Sequence, residues 1–139
     1  MSAPRRAPVG ELEIPFQTRL MLALSKRPTW RVWRVNVGTV ERKAGGFFHA
    51  GPPKGAADLA GIIGPEGWAL QIECKAAGRK RRPEQVAWAE MVTALGAVYL
   101  LADARDGVEA TLARLDAMLD ERRAAASAAM RASFPRGPL

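Results

Sequence analysis

The sequence predicts an α/β fold in which a central mixed β-sheet is flanked by helices. Three observations predict it. Residues 68–75 (WALQIECK) and 97–102 (AVYLLA) are short apolar runs bounded by turn-forming residues, as strands are. Two longer segments, 83–95 and about 108–130, carry helical composition between a proline or glycine start and a glycine or proline stop. Their order along the chain, helix–strands–helix–strand–helix, is that of a layered α/β sandwich. A length of 139 residues supports one core and not two.

Taken in order, residues 1–10 contain Pro4, Pro8, Gly10 and the pair Arg5–Arg6, and read as a disordered basic arm. Pro15 sits where a first helical turn tolerates it, and Phe16, Leu20, Leu22 and Leu24 carry a helix to Ser25 or Lys26, before Pro28. TWRVWRVNV (29–37) alternates apolar with polar residues and reads as a strand whose register slips at Trp33. Residues 38–51 read as a hairpin or flap, with AGG (44–46) as its turn and FFHA as its return. After the loop GPPKGA, DLAGII (58–63) is a short buried strand, and GPEG (64–67) turns the chain into WALQIECK.

The loop AAGRKRR then leads to Pro83, which opens a helix that Gly96 ends. AVYLLA is apolar throughout, as an internal strand is. The alanine-rich helix from about Val108 to about Met130 is followed by a flexible tail, 131–139. Residues 11–130 are thus expected to form one domain.

Composition narrows the function. No apolar run approaches the ~18–20 residues that cross a bilayer, and MSAPRRAPVGELEI has no apolar core of a secretory signal. The one cysteine makes neither an internal disulfide nor a cysteine-based zinc site, so a reducing, cytoplasmic setting without membrane contact is expected. The chain carries 21 basic and 14 acidic residues, a net charge of +7. The excess is uneven: residues 1–82 carry +9 and residues 83–139 carry −2. A basic half with a few embedded acids suits a polyanionic partner, nucleic acid first.

Two of those acids, Asp58 and Glu73, stand in or beside apolar strands. In the strand 68–75 side chains alternate, so Gln71, Glu73 and Lys75 share one face while Leu70, Ile72 and Cys74 face the core. Glu73 and Lys75 then stand about 6.5–7 Å apart along the strand, on the face away from the core. The four-residue turn makes the strand that carries Asp58 an antiparallel neighbour, which brings Asp58 and Glu73 to one end of one sheet although 15 residues separate them. Two convergent carboxylates form a hard-oxygen site of the kind Mg²⁺ or Mn²⁺ prefers. Such an ion holds a phosphate oxygen and acidifies a bound water, and a lysine beside it orients or deprotonates that water. Alone, Glu-x-Lys is weak, because an exposed strand face often carries an ion pair worth little. Its company makes it specific.

The string KGAADL…QIECKA…RPEQ…W…LGAVYLL resembles the VRR-NUC (virus-type replication–repair nuclease) domain of the PD-(D/E)xK nuclease superfamily, over roughly residues 11–102. The matching blocks are RVNVG (34–38), Gly55 with ADL (57–59), IECK (72–75), PEQ (83–85) and LGAVYLL (95–101). The resemblance implies a restriction-endonuclease-like core. It makes Asp58 and Glu73 metal-binding carboxylates, Lys75 the catalytic lysine, and the backbone carbonyl of Cys74 a further ligand. Gln85 matches the family's active-site glutamine, and its helical face, shared with Trp88 and Val92, turns it towards the sheet. The family also places a glutamate on the first helix. Glu11 and Glu13 both stand there, and Glu13, four residues before Gln17, matches the family's spacing and is preferred.

Arg79, Lys80, Arg81 and Arg82 flank the helix that bears Gln85, where phosphate contacts would fix a DNA path without reading bases. Arg82 stands where the family has Ser or Thr, which leaves that helix without a side-chain N-cap. Arg34 and Lys54 are lesser candidates for DNA contact. His49 reads as a flap residue, and Cys74, facing the core, as a poor nucleophile. The implied activity is a Mg²⁺- or Mn²⁺-dependent, structure-specific DNA endonuclease in repair, recombination or phage replication. Small members of the family are similar to Holliday-junction resolvases and act as homodimers on branched DNA, in a bacterial cell or phage-infected host. Flap- or nick-directed and restriction-like nucleases are the alternatives, as is a DNA-binding module of the same fold that no longer cuts.

Overall fold

The computed structural model describes residues 9–35, 38–134 and 137. Residues 1–8 of the expected basic arm, Asn36 and Val37 at the end of the expected first strand, and residues 135, 136, 138 and 139 of the expected tail lie outside them. Helix α1 (Val9–Ser25) is followed by β1 (Trp30–Arg34), β2 (Gly38–Glu41), β3 (Phe47–Ala50), β4 (Leu59–Ile63) and β5 (Trp68–Lys75). Then come α2 (Pro83–Ala94), β6 (Val98–Asp103) and α3 (Gly107–Ser133). The chain forms two compact units, one ending at Val108 and one beginning at Glu109. The second holds most of α3, where Thr111, Leu115 and Leu119 repeat every four residues and are buried.

The fold is α/β with a mixed four-stranded sheet in the order β1-β4-β5-β6. β1 with β4 and β4 with β5 run antiparallel, while β5 and β6 run parallel across the α2 crossover. β2 and β3 form a separate antiparallel ribbon, in which Val40 pairs with Phe48 and Glu41 with Phe47. The strands expected at 58–63, 68–75 and 97–102 are all present, displaced by at most one residue. Two features differ from expectation. Helix α1 begins at Val9 and runs through Pro15, where the sequence suggested a start. Pro15 costs about 3 kcal/mol inside a helix, whereas burying each of Phe16, Leu20 and Leu24 returns roughly 1.5–3 kcal/mol, so the apolar stripe outweighs the missing bond. Leu22, expected on that stripe, is exposed.

The second difference concerns Trp33. Leu70, Ile72 and Cys74 face the core as expected, together with Leu59, Leu100 and Ala102. On the opposite face α2 lies over β5, with Gln85 turned to the sheet as expected, and is joined to it by hydrogen bonds from Gln85 to Glu73 and from Trp88 to Gln71. Trp33 and Ile62, on the same face of β1 and β4, stay exposed. The apparent slip at Trp33 is ordinary alternation: Trp30 turns inward and Trp33, three residues on, turns outward.

Candidate active site

Strand β4 begins at Leu59, one residue after Asp58. Carried one step further, the β4–β5 register sets Asp58 opposite Glu73, because Leu59 lies opposite Ile72. Where the ladder ends, the Asp58 side chain takes over: its Oδ2 accepts the Cys74 N–H at 2.8 Å. A strand residue projects its N–H and C=O to the same side, so the Cys74 carbonyl also faces the Asp58 side. The Asp58 backbone oxygen accepts the Val35 N–H at 2.8 Å, which ties this loop to the end of β1.

Glu73 is 1% exposed. Its Oε1 accepts the Gln85 amide at 2.6 Å and lies 3.3 Å from Lys75 Nζ. Its Oε2 is buried and, among the described residues, has no hydrogen-bond partner. Burial, and next the negative charge of Asp58, push the Glu73 carboxyl up to about 7, against the pull of Lys75. Burial likewise raises Asp58, opposed by its bond from Cys74. Burial pushes the Cys74 thiol far above its ordinary range, which leaves it inert as a nucleophile.

Gln85 owes its aim to helix capping. Arg82, the N-cap residue of α2, supplies no side-chain cap. Instead Gln85 Oε1 reaches back to the Arg82 N–H at 2.8 Å, the reciprocal half of a capping box. With its oxygen so engaged, the amide NH₂ must face Glu73. A further anchor comes from α1, where Glu13 Oε2 accepts the Ala76 N–H at 3.3 Å, just past β5. The side chain of Glu11 lies outside the described residues.

Glu13, Asp58, Glu73, Lys75, Arg79, Lys80, Arg82 and Gln85 line one cavity of about 480 Å³. A second cavity of about 260 Å³ shares Asp58, Arg82 and Gln85 and adds Val35, Lys54 and Gly55. Three carboxylates are thus walled by lysine and arginine, with Lys54 further along. Two expected DNA contacts stand apart. Arg81 stacks over the Tyr99 ring at 5.8 Å, and Arg34 donates to Thr18 Oγ1 at 2.8 Å; neither lines these cavities. Each finds a polarisable or accepting neighbour that its sequence position did not reveal.

Three supports were not anticipated. Asp103, opposite Lys75 on β6, accepts the Gly78 N–H at 3.3 Å and pins the loop that carries Arg79 and Lys80. Trp88 Nε1 donates to Gln71 Oε1 at 2.8 Å and holds α2 down. Gly55, at φ +100°, packs so closely on α2 that a Cβ there would collide with the Glu84 carbonyl. A glycine two residues before an alanine-aspartate pair was the only sequence sign of that contact. Compared with protein-family models and with curated proteins, the chain matches none.

The donors suit a hard divalent cation: two carboxylates set opposite each other, a backbone carbonyl on their side, and an orphaned buried oxygen that calls for a partner. Among the described residues no three His, Cys, Asp or Glu side chains are gathered into a complete cage. Asp58 and Glu13 each lend one oxygen to a backbone N–H. Mg²⁺ commonly takes one or two carboxylates and keeps its waters, so a full cage is not required.

Proposed function

We propose that the chain is a Mg²⁺- or Mn²⁺-dependent endodeoxyribonuclease of the PD-(D/E)xK type, as its resemblance to the VRR-NUC domain implies. The observation that carries this reading is the unpartnered buried oxygen of Glu73 in a cavity shared with Asp58 and Lys75 and walled by cations. Asp58, Glu73 and the Cys74 carbonyl would hold the ion. When bound, it supplies charge neutralisation at the phosphate and an acidified water.

The remaining work falls to side chains. Gln85 and Lys75 converge on one Glu73 oxygen and leave the other for the cation. The Lys75 ammonium can also donate to the attacking water or to a non-bridging phosphate oxygen, where negative charge grows during attack. Arg79, Lys80 and Arg82 seat the flanking phosphates, and Lys54 extends that path. Glu13 ties α1 to the end of β5 and adds a third acid.

Branched DNA, handled as Holliday-junction resolvases handle it, a homodimer with two sites, and a cytoplasmic setting in a bacterial or phage-infected cell belong to the same proposal. Among the described residues no helix is long and apolar enough to cross a membrane. A second reading, a DNA-binding module that does not cut, is favoured by the backbone bonds that occupy Asp58 and Glu13.

Labelled four-way, flap and linear DNA, incubated with Mg²⁺, Mn²⁺ or EDTA, separates the two. Metal-dependent cutting that Lys75→Ala abolishes supports the nuclease. Tight binding without cutting in either metal replaces it with the binding module.

A further inference from the structure

The β2–β3 ribbon has no place in the chemistry above, yet its composition is unusual. Every residue from Glu41 to His49 is exposed, Phe47 at 73% and Phe48 at 49%. Two large aromatic rings left this exposed gain little from folding, which makes them candidates for contact with a ligand. The alternation of β3 sends the rings to opposite faces of the ribbon. The Arg42 guanidinium lies over the Phe48 ring, 5.6 Å from its centroid. Lys43 adds a second cation at the turn, while Glu41 is the ribbon's one acid.

The ribbon is also well placed. Gly38 follows Val35 by three residues, and Val35 is bonded to Asp58. Three residues span at most ~11 Å, so the ribbon's base stays beside the carboxylate end of the sheet. A cationic, aromatic finger there matches a ligand with anionic links and flat π-faces. Nucleic acid whose bases are unpaired offers both, whereas intact duplex hides the faces.

We propose that this ribbon is a stacking finger: Phe47 and Phe48, with Arg42 behind Phe48, pack on unpaired bases at a branch, flap or single-stranded stretch. The inference rests on the nuclease reading for the identity of the polymer, and it assigns the preference for DNA structure to β2–β3.

The test measures binding in EDTA, where cutting does not intervene, by fluorescence anisotropy. The probes are a flap DNA, a single strand and a blunt duplex of equal length. Phe47→Ala/Phe48→Ala is expected to weaken flap and single-strand binding at least fivefold, with duplex binding changed less than twofold. Phe48→Trp, which keeps a π-face, retains wild-type binding. 2-Aminopurine at the unpaired position is quenched by the wild type and not by the double variant. Unchanged binding, or an equal loss on duplex, overturns the finger, as does a loss of self-association with DNA binding intact. Cutting of four-way, flap and linear DNA with Mn²⁺ by the same variants is read separately. Its persistence on any of the three leaves the nuclease standing even if the finger falls, and its absence on all three in the wild type defeats the nuclease alone.

Discussion

Gln85 joins two structures at once: its oxygen accepts the Arg82 N–H at 2.8 Å and its amide donates to Glu73 Oε1 at 2.6 Å. The start of α2 and the buried carboxylate are thereby fixed by one side chain. Because one end caps the helix, the other cannot flip, and Glu73 is held with the same oxygen towards Gln85 throughout.

Removal of that link is therefore expected to act on stability and on metal binding together. Gln85→Ala orphans a helix N–H and leaves Glu73 Oε1 with Lys75 alone, a loss of about 1–3 kcal/mol in urea unfolding. Manganese affinity, read by calorimetry, falls about tenfold or more, since Glu73 loses its orientation. A variant with normal stability and normal affinity would contradict the clamp.

The raised Glu73 carboxyl predicts how the metal-free protein responds to pH. Below about 4.5, its ordinary value, folded and unfolded chains both hold the proton. Between there and about 7 the folded chain keeps a proton that the unfolded chain has released. Stability conferred by the neutral form is thus present at low pH and is lost as pH rises to about 7, then levels off. Each pH unit is worth about 1.4 kcal/mol, so the loss is on the order of 3 kcal/mol. Urea unfolding in EDTA from pH 5 to pH 8 checks this, and Glu73→Gln should flatten the profile. Manganese should stabilise more at pH 8 than at pH 5, because protons compete with it.

Gly55 sets the distance between the Asp58 loop and α2. Gly55→Ala meets both an unfavourable positive φ and the Glu84 carbonyl. A loss of about 1–3 kcal/mol is expected by thermal or urea unfolding. Metal binding should weaken too, since the loop carries Asp58. A neutral substitution would mean that the loop yields freely.

The basic loop divides its work. Replacing Arg79, Lys80 or Arg82 with Ala should each reduce the slope of log K against log salt by about 1, which marks a lost phosphate contact. Arg81→Ala should leave the slope within error, because Arg81 stacks over Tyr99 outside the cavity. Equal slopes for all four variants would refute this partition.

Much of the fold was legible along the chain. WALQIECK, the GPEG turn and the Pro83 start of α2 declare themselves by local rules of alternation, turn chemistry and proline geometry. That Asp58 and Glu73 come to one end of one sheet followed from the short turn between their strands, and the register that sets them opposite each other came from the structure. The path of α1 through Pro15 was not legible, because long-range burial of Phe16, Leu20 and Leu24 overrides a local breaker. Nor was the split between Arg81 and its three neighbours, since adjacent residues in a loop carry no period that says where each one turns.

By itself the sequence determined the strands, their order of appearance, and which acids and which lysine could meet. Local periodicity and short connections suffice for that. Only the tertiary structure decided that α2 covers Glu73, that one oxygen is satisfied while the other is orphaned, and that Gln85 caps a helix to achieve it. Those outcomes depend on contacts between segments distant along the chain, whose distances are set by packing and not by spacing.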